Sequence, residues 1–171
     1  MRTMLRPGDL VEVRSAREIL CGLDAGGAVD GLPFMPEMLE ICGKRFTVSE
    51  RVVQATMDAL AAQPYSGSYV REFKNNDVIF LENIRCSGSY HGGCQRGCRI
   101  LWKESWLEKV KAGAHASAPS SEGIEKLKSK LRTVGDSGRY ICQSSEFEKA
   151  TNNLSPMKRI KKCFEAVQVG N

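Results

Sequence analysis

Four side chains of the kinds that bind metal ions lie close together in one glycine-rich stretch of the chain. Three cysteines and one of the two histidines follow each other with the spacing C-x4-H-x2-C-x3-C: Cys86, His91, Cys94 and Cys98. Thiolate sulfur and neutral imidazole nitrogen are the ligands that zinc prefers in tetrahedral protein sites. The intervening glycines allow the backbone to turn tightly, so that nearby side chains can converge. The stretch therefore predicts a metal-binding loop.

A more distant cysteine is a further candidate ligand. Cys42 precedes a glycine at the start of a predicted strand, in a turn similar to the one that holds Cys86. Two such turns, brought together on one ion, would join the two halves of the domain. We therefore predict a Cys3His zinc set of Cys42, Cys86, His91 and Cys94, with Cys98 as the competing fourth thiolate.

Other interpretations of the cysteines remain open. Iron, or an iron–sulfur cluster held by four cysteines, is an alternative to zinc, and the thiols could instead serve redox chemistry. Buried apolar cysteines beside an exposed histidine would need no metal. Four protein ligands would make the metal structural, whereas an open position would let it activate water. No catalytic residue is assigned, and Cys21, Cys142 and Cys163 stand alone in the sequence and are expected to be inert.

Strand-forming segments surround the cysteine-rich stretch and must position it. Apolar alternation and β-branched or aromatic residues predict four strands, at 10–14, 44–48, 77–85 and 99–102. Ser15 and Glu18 have the spacing of a capping box, which predicts a short helix after the first strand. A brief helical turn is predicted at 35–41. The metal loop follows strand 77–85 directly, so this strand would fix its first ligand.

The predicted fold is mainly β with short helices, in the α+β class. Short strands joined by loops are typical of a small barrel. The opening P-G-D-x-V-x-V and the closing W-L-E-x-V are similar to the first and last strands of SH3-like barrels. We predict an SH3-like domain with the metal loop, a flexible linker of small and polar residues, and a helical tail, at 1–111, 112–123 and 124–171.

Charge is unevenly distributed between these parts. The formal net charge is +5, with 15 Lys and Arg against 14 Asp and Glu in residues 1–111 and 10 against 6 in residues 112–171. In the tail, Ile124, Leu127 and Leu131 share one helical face, and a last helix is predicted at 156–167. We expect this basic tail to pack on the barrel or on a protein partner. Its few charges give only a weak attraction to nucleic acid, which is therefore not the expected partner.

Composition also bears on the compartment. No stretch approaches the roughly 18 to 20 apolar residues that a membrane span requires, and residues 1–10 lack the apolar core of a signal peptide. The cysteine count is seven, an odd number. Clustered thiols without a secretory signal indicate a reducing environment, so a cytoplasmic location is expected.

The motifs at these positions resemble those of an uncharacterised, hypothetical family of bacterial proteins. Its members share PEMLxxCGxR, CxGxxHxxC and WxExWL, which begin here at Pro36, Cys86 and Trp102. The resemblance covers most of residues 6–110. It implies one set of motif residues: Cys42, Cys86, His91 and Cys94, with Cys98 in some members. Such proteins accompany polysaccharide or natural-product biosynthesis genes, which implies an accessory role in a biosynthetic pathway.

The expected function is therefore binding, by a zinc-containing accessory or adaptor protein whose metal is mainly structural. A metal- or cysteine-dependent enzyme with an open Cys/His site is the first alternative. A nucleic-acid-binding protein that uses the basic tail is the second.

Overall fold

A computed structural model of the protein describes residues 4–56, 70–111 and 123–154. The strands are β1 (Leu10–Val13), β2 (Ala28–Val29), β3 (Leu32–Pro33), β4 (Arg45–Arg51), β5 (Gln54–Ala55), β6 (Arg71–Phe73), β7 (Val78–Arg85), β8 (Arg99–Lys103), β9 (Leu107–Lys109) and β10 (Thr151–Asn153). The helices are α1 (Ala16–Gly22), α2 (Ile124–Lys130), α3 (Phe147–Ala150) and the 3₁₀ helices η1 (Pro36–Ile41) and η2 (Glu104–Trp106). Among these residues no helix is long and apolar enough to cross a membrane.

The main sheet is a curled antiparallel half-barrel of five strands in the order β8-β7-β4-β1-β9. β1 lies between two partners, with Val11 opposite Phe46 on one side and opposite Lys109 on the other. The four predicted strands are confirmed as β1, β4, β7 and β8. The mainly β class with short helices is confirmed with them.

The short helix after β1 begins as predicted. The backbone N–H of Glu18 donates to Ser15 Oγ at 3.4 Å, and the backbone N–H of Ser15 donates to Glu18 Oε2 at 3.0 Å. These reciprocal bonds satisfy N–H groups that the helix itself leaves unpaired. The helix then buries the side chains of Ala16 and Ile19 in the apolar core.

Three aromatic side chains form the centre of the core. Trp102 and Trp106 are almost fully buried, and Phe34 lies edge-on to both rings, with centroid distances of 6.3 and 5.2 Å. Edge-to-face contacts of this kind stabilise a core beyond the area that the rings bury. Because Trp102 belongs to β8 and Phe34 precedes η1, this contact fixes η1 beside the strand that follows the metal loop.

The C-terminal described segment, 123–154, packs on the barrel. Leu127 of α2 and Phe147 of α3 are fully buried in the same apolar cluster as the strands. β10 pairs with β6 in a second sheet of order β10-β6-β5. Of the predicted helical tail, α2 covers the face around Leu127, whereas the helix predicted at 156–167 lies outside the described residues, so the tail as a whole stays a prediction.

Candidate metal centre

The predicted metal loop connects β7 to β8 and is closed at its base by a backbone hydrogen bond. The N–H of Cys86 donates to the carbonyl of Cys98 at 2.8 Å, one residue beyond the strand pair Arg85 and Arg99. Residues directly opposite each other in an antiparallel pair carry their side chains on one face, with Cβ atoms about 4.5–5.5 Å apart. The backbone of Cys86 and that of Cys98 therefore lie opposite each other at the base of the loop.

Gly88 makes the loop fold back on itself. Its carbonyl accepts from the N–H groups of His91 at 2.9 Å and Gly93 at 3.1 Å. Its φ is +74°, and a Cβ at this position would lie 2.0 Å from the carbonyl oxygen of Cys94. Only glycine fits such a conformation in so little space. The tight turn returns His91 to the side of Cys86.

Three side chains converge at this point, and we call them the metal centre: Glu37, Cys86 and His91. Cys86 Sγ lies 2.9 Å from Glu37 Oε1 and 3.8 Å from His91 Nδ1, and the last two atoms are 3.6 Å apart. Glu37 and His91 are buried, and Cys86 is half-buried. Thiolate, imidazole and carboxylate are all zinc ligands. The group can therefore hold a metal ion.

Glu37 reaches the metal centre from η1. Its side chain is 7% exposed, and the buried oxygen Oε2 has no hydrogen-bond partner in the part of the chain that the structure describes. In the described ranges, no Lys or Arg forms an ion pair with this carboxyl group. A buried polar oxygen without a partner costs free energy, and a bound cation would remove that cost. This oxygen and the mixed set of donors fit a metal ion.

His91 is held in the tautomer that a metal site needs. Its Nε2 lies 3.1 Å from the backbone carbonyl oxygen of Ile141. Since a carbonyl only accepts, Nε2 carries the proton, and in the neutral ring Nδ1 keeps its lone pair. That lone pair faces Cys86 and Glu37. Metal-binding histidines commonly donate their other ring N–H to a carbonyl in this way.

Without a metal ion, Cys86 is a protonated thiol. Burial and the hydrogen bond to Glu37 raise the pKa of the Cys86 thiol to about 12, and an opposing hydrogen bond from the backbone of Gly88 only reduces the effect. The thiol is therefore protonated near neutral pH and donates to Glu37 Oε1. A metal ion held by Cys86 would displace this proton, because the thiolate is the form of cysteine that binds metals.

Two more predicted ligands lie beside the centre. Cys94 and Cys98 line a cavity of about 320 Å³ together with Cys86 and His91. The pKa of the Cys98 thiol is raised by burial and, next, by the neighbouring thiols of Cys142 and Cys94. Neither sulfur belongs to the converging group, so their role as ligands stays a prediction.

Cys42 lies apart from this cavity wall. It is buried in the apolar core, and its Sγ is 3.8 Å from the carbonyl oxygen of Met38 on η1. Burial raises the pKa of its thiol to about 11. Its predicted role as a ligand is not tested by this contact.

Sequence reasoning missed Glu37 and the segment that carries Ile141. Glu37 is a carboxyl group inside the otherwise apolar run 32–39, and this isolation was a signal of a buried polar residue. Cys142, which was expected to be inert, lines the same cavity as Cys86. Nothing in the local sequence indicated that this distant segment reaches the loop.

Comparisons of the chain with protein-family models, with curated proteins and with solved structures found no match. The geometry and chemistry of the metal centre are therefore the basis for a function.

Proposed function

We propose that the protein is a zinc-binding accessory or adaptor protein whose metal is mainly structural. The observation that carries this proposal is the buried, unpartnered oxygen of Glu37 beside the thiol of Cys86 and the directed lone pair of His91. Zinc would satisfy all three groups at once. Iron is the alternative metal, because carboxylate and imidazole also suit it.

We assign the fourth position to Cys98. Its backbone is hydrogen-bonded to that of Cys86 at the base of the loop and it lines the same cavity, with Cys94 as its competitor. Cys42 contacts η1, the helix that carries Glu37, and in this proposal it supports that helix.

A structural role follows from what the metal would connect. Glu37 and Cys86 are separated by 49 positions in the sequence, so a shared ion would link η1 to the loop after β7. Because such a site forms only in the folded chain, the free energy of metal binding would add to the stability of the fold. The half-barrel is consistent with an SH3-like domain. The motif resemblance supports an accessory role in a biosynthetic pathway. The clustered thiols support a cytoplasmic location, and the basic tail supports a protein partner.

Metal analysis of the purified protein tests this function. We expect about one zinc ion per chain, lost in Cys86→Ser and kept in the control Cys21→Ser, whose cysteine is exposed on α1. Free zinc at 100 times its Kd should raise the free energy of unfolding by about 2.7 kcal/mol in the wild type and in Cys21→Ser, but not in Cys86→Ser. A wild-type chain without metal affinity, or a Cys86→Ser variant that binds like wild type, would refute the proposal. Elemental analysis also separates zinc from iron.

An enzyme with an open metal site is the second candidate, and the cavity favours it. The 320 Å³ space adjoins Cys86 and His91, so a fourth position not taken by protein would face a volume able to admit a small molecule. Cobalt-substituted protein distinguishes the two functions. Added azide should leave the cobalt spectrum unchanged if four side chains bind the ion, and should change it if one position is open.

A further inference from the structure

A side chain from the C-terminal segment takes the place of a neighbouring strand on β8. β8 is an edge of the five-stranded sheet, so one side of it has no strand partner there. Gln143 Oε1 accepts from the backbone N–H of Leu101 at 2.8 Å, and Gln143 Nε2 donates to the carbonyl of Leu101 at 2.8 Å. One amide group thus makes both bonds that a paired residue would make.

The amide of Gln143 also makes a hydrogen bond outside β8. Nε2 also donates to the carbonyl of Pro33 at 3.3 Å, and Gln143 is 4% exposed. An amide side chain has two donor hydrogens and one acceptor oxygen, so each group has a partner here. Gln143 therefore fixes the segment against both β8 and β3.

Two residues earlier, the same segment contacts the metal centre. The carbonyl of Ile141 accepts the Nε2–H of His91, and the N–H of Ile141 donates to the carbonyl of Thr133 at 2.9 Å. The ring of Tyr140 lies edge-on to the His91 ring, with a centroid distance of 6.3 Å. The position of the segment therefore sets the orientation of the imidazole.

We propose that Gln143 is a positioning residue for the metal centre. By anchoring the segment to Leu101, it keeps the carbonyl of Ile141 on the Nε2–H of His91 and directs Nδ1 toward Cys86. The inference rests on the proposed function. Metal binding and docking of the segment are then coupled, and each strengthens the other by the same factor.

The variant Gln143→Met tests the anchor, because it keeps the size of the buried side chain and removes its hydrogen bonds. Loss of such outer partners typically weakens metal affinity by about 10- to 100-fold. We expect that loss in chelator competition with zinc. In metal-free protein we expect a slowly exchanging Nε2–H signal of His91 by NMR, present in wild type and absent in the variant.

Thr151→Val is the matched control. It breaks hydrogen bonds at the other end of the same segment, where Thr151 Oγ1 donates to the carbonyl of Phe147 and accepts from Arg71. It should lower stability and leave both the zinc affinity and the ring N–H signal unchanged. If this control reproduces both losses, Gln143 acts only through general packing, and the assignment fails.

The remaining outcomes are also decisive. Wild-type zinc affinity in Gln143→Met, or a ring N–H signal that persists in it, overturns the proposal. A wild-type protein that binds no zinc defeats the proposed function, while the ring signal still tests the anchor separately. If Gln143→Met does not fold, Gln143→Asn carries the same test, because it keeps the amide group but is one methylene too short to make both bonds to Leu101.

Discussion

Glu37 and Lys103 are both buried charged-type side chains, but their surroundings differ. Lys103 is 2% exposed, and its Nζ donates to Asp30 at 2.7 Å and to Asp77 at 2.8 Å. We call these three residues the lysine centre. Glu37 contacts a thiol and an imidazole, and one of its oxygens has no hydrogen-bond partner among the described residues. The charges of the lysine centre are balanced within the protein, whereas the metal centre has an oxygen that a cation could bind.

The buried charge of Lys103 is balanced within the protein and serves folding, whereas that of Glu37 could be balanced by a bound cation. At the lysine centre, the hydrogen bond from Lys103 holds the pKa of the Asp30 carboxyl below its ordinary value. Each charge there lowers the cost of burying the other. At the metal centre, no Lys or Arg in the described part of the chain forms an ion pair with Glu37, and the groups that face each other all suit a cation. Substitutions at the two centres should therefore differ in their effects on stability and on zinc affinity.

The largest expected effect is at the lysine centre. Asp30→Asn combined with Asp77→Asn would leave the buried ammonium of Lys103 without a counter-charge. Breaking a buried pair costs about 3–5 kcal/mol, and the partial exposure of both carboxylates places this case toward the lower end. Urea unfolding measures the loss, and zinc affinity should not change. A loss below about 1 kcal/mol would show that this centre contributes little to folding.

The next effect concerns the loop that forms the metal centre. Gly88→Ala forces a Cβ against the carbonyl of Cys94 and a side chain into a left-handed φ of +74°. The conformation costs about 1–2 kcal/mol and the overpacking about 1–3 kcal/mol. We expect both contributions in denaturant unfolding, together with loss of zinc binding.

Gly93→Ala is the control for this effect. Gly93 has the same φ of +74°, but nothing lies within 4 Å of the added Cβ. Only the conformational cost of about 1–2 kcal/mol should appear, and zinc should still bind. Equal losses in the two variants would mean that the close approach of Gly88 to Cys94 is unimportant.

The parts of the molecule that were predicted from sequence depend on short-range patterns. The alternation in 10–14, the apolar run of 77–85 and the Ser15–Glu18 spacing each define an element locally, and each element is present. The cysteine-rich loop was predicted for the same reason. Its candidate ligands lie within 13 residues, so glycine turns suffice to bring Cys86 and His91 together.

The rest depends on long-range packing. Glu37 joins the metal centre because Phe34 packs on the tryptophans and fixes η1 beside the loop, 49 positions before Cys86. Gln143 reaches β8 through side-chain bonds to a backbone 42 positions away. Neither contact has a periodicity or spacing that a sequence displays, since each requires the sheet to be formed first.

A smaller effect is the pH dependence of zinc affinity, which should differ from the pH dependence of the lysine centre. The Cys86 thiol, whose pKa is about 12, holds a proton in the metal-free protein and none when zinc is bound. Raising the pH from 6 to 8 should therefore strengthen zinc binding, by about tenfold (1.4 kcal/mol) per unit for each proton released. Calorimetry in buffers of different ionisation enthalpy counts these protons. Zinc binding independent of pH would exclude Cys86 as a ligand.

The lysine centre should respond in a different range. Because the folded-state pKa of Asp30 is lowered from 3.8, its contribution to stability is present above that value. It is lost as the pH falls through the folded pKa. Acid titration of unfolding should therefore show no change from this centre between pH 6 and 8.

The smallest change in stability is expected for Glu37→Gln, which tests directly whether this buried carboxyl group serves folding or metal binding. Glu37→Gln keeps an oxygen to accept from Cys86 and removes a carboxyl group with which no described Lys or Arg pairs. In metal-free protein we expect the free energy of unfolding to stay constant or to rise by up to about 1 kcal/mol, since an unpaired buried group opposes folding. Zinc affinity should fall, because the carboxylate ligand is lost.

Glu104→Gln supplies the matched comparison for this prediction. Glu104 is also largely buried, but it pairs with Arg51 and accepts the N–H of Leu5 at 2.9 Å. Its replacement should lower stability by about 1.5–3 kcal/mol and leave zinc affinity unchanged. If Glu37→Gln instead destabilises the metal-free protein as much, its carboxyl serves folding. A carboxyl whose neutral replacement costs nothing in folding, yet weakens zinc binding, is retained for the metal.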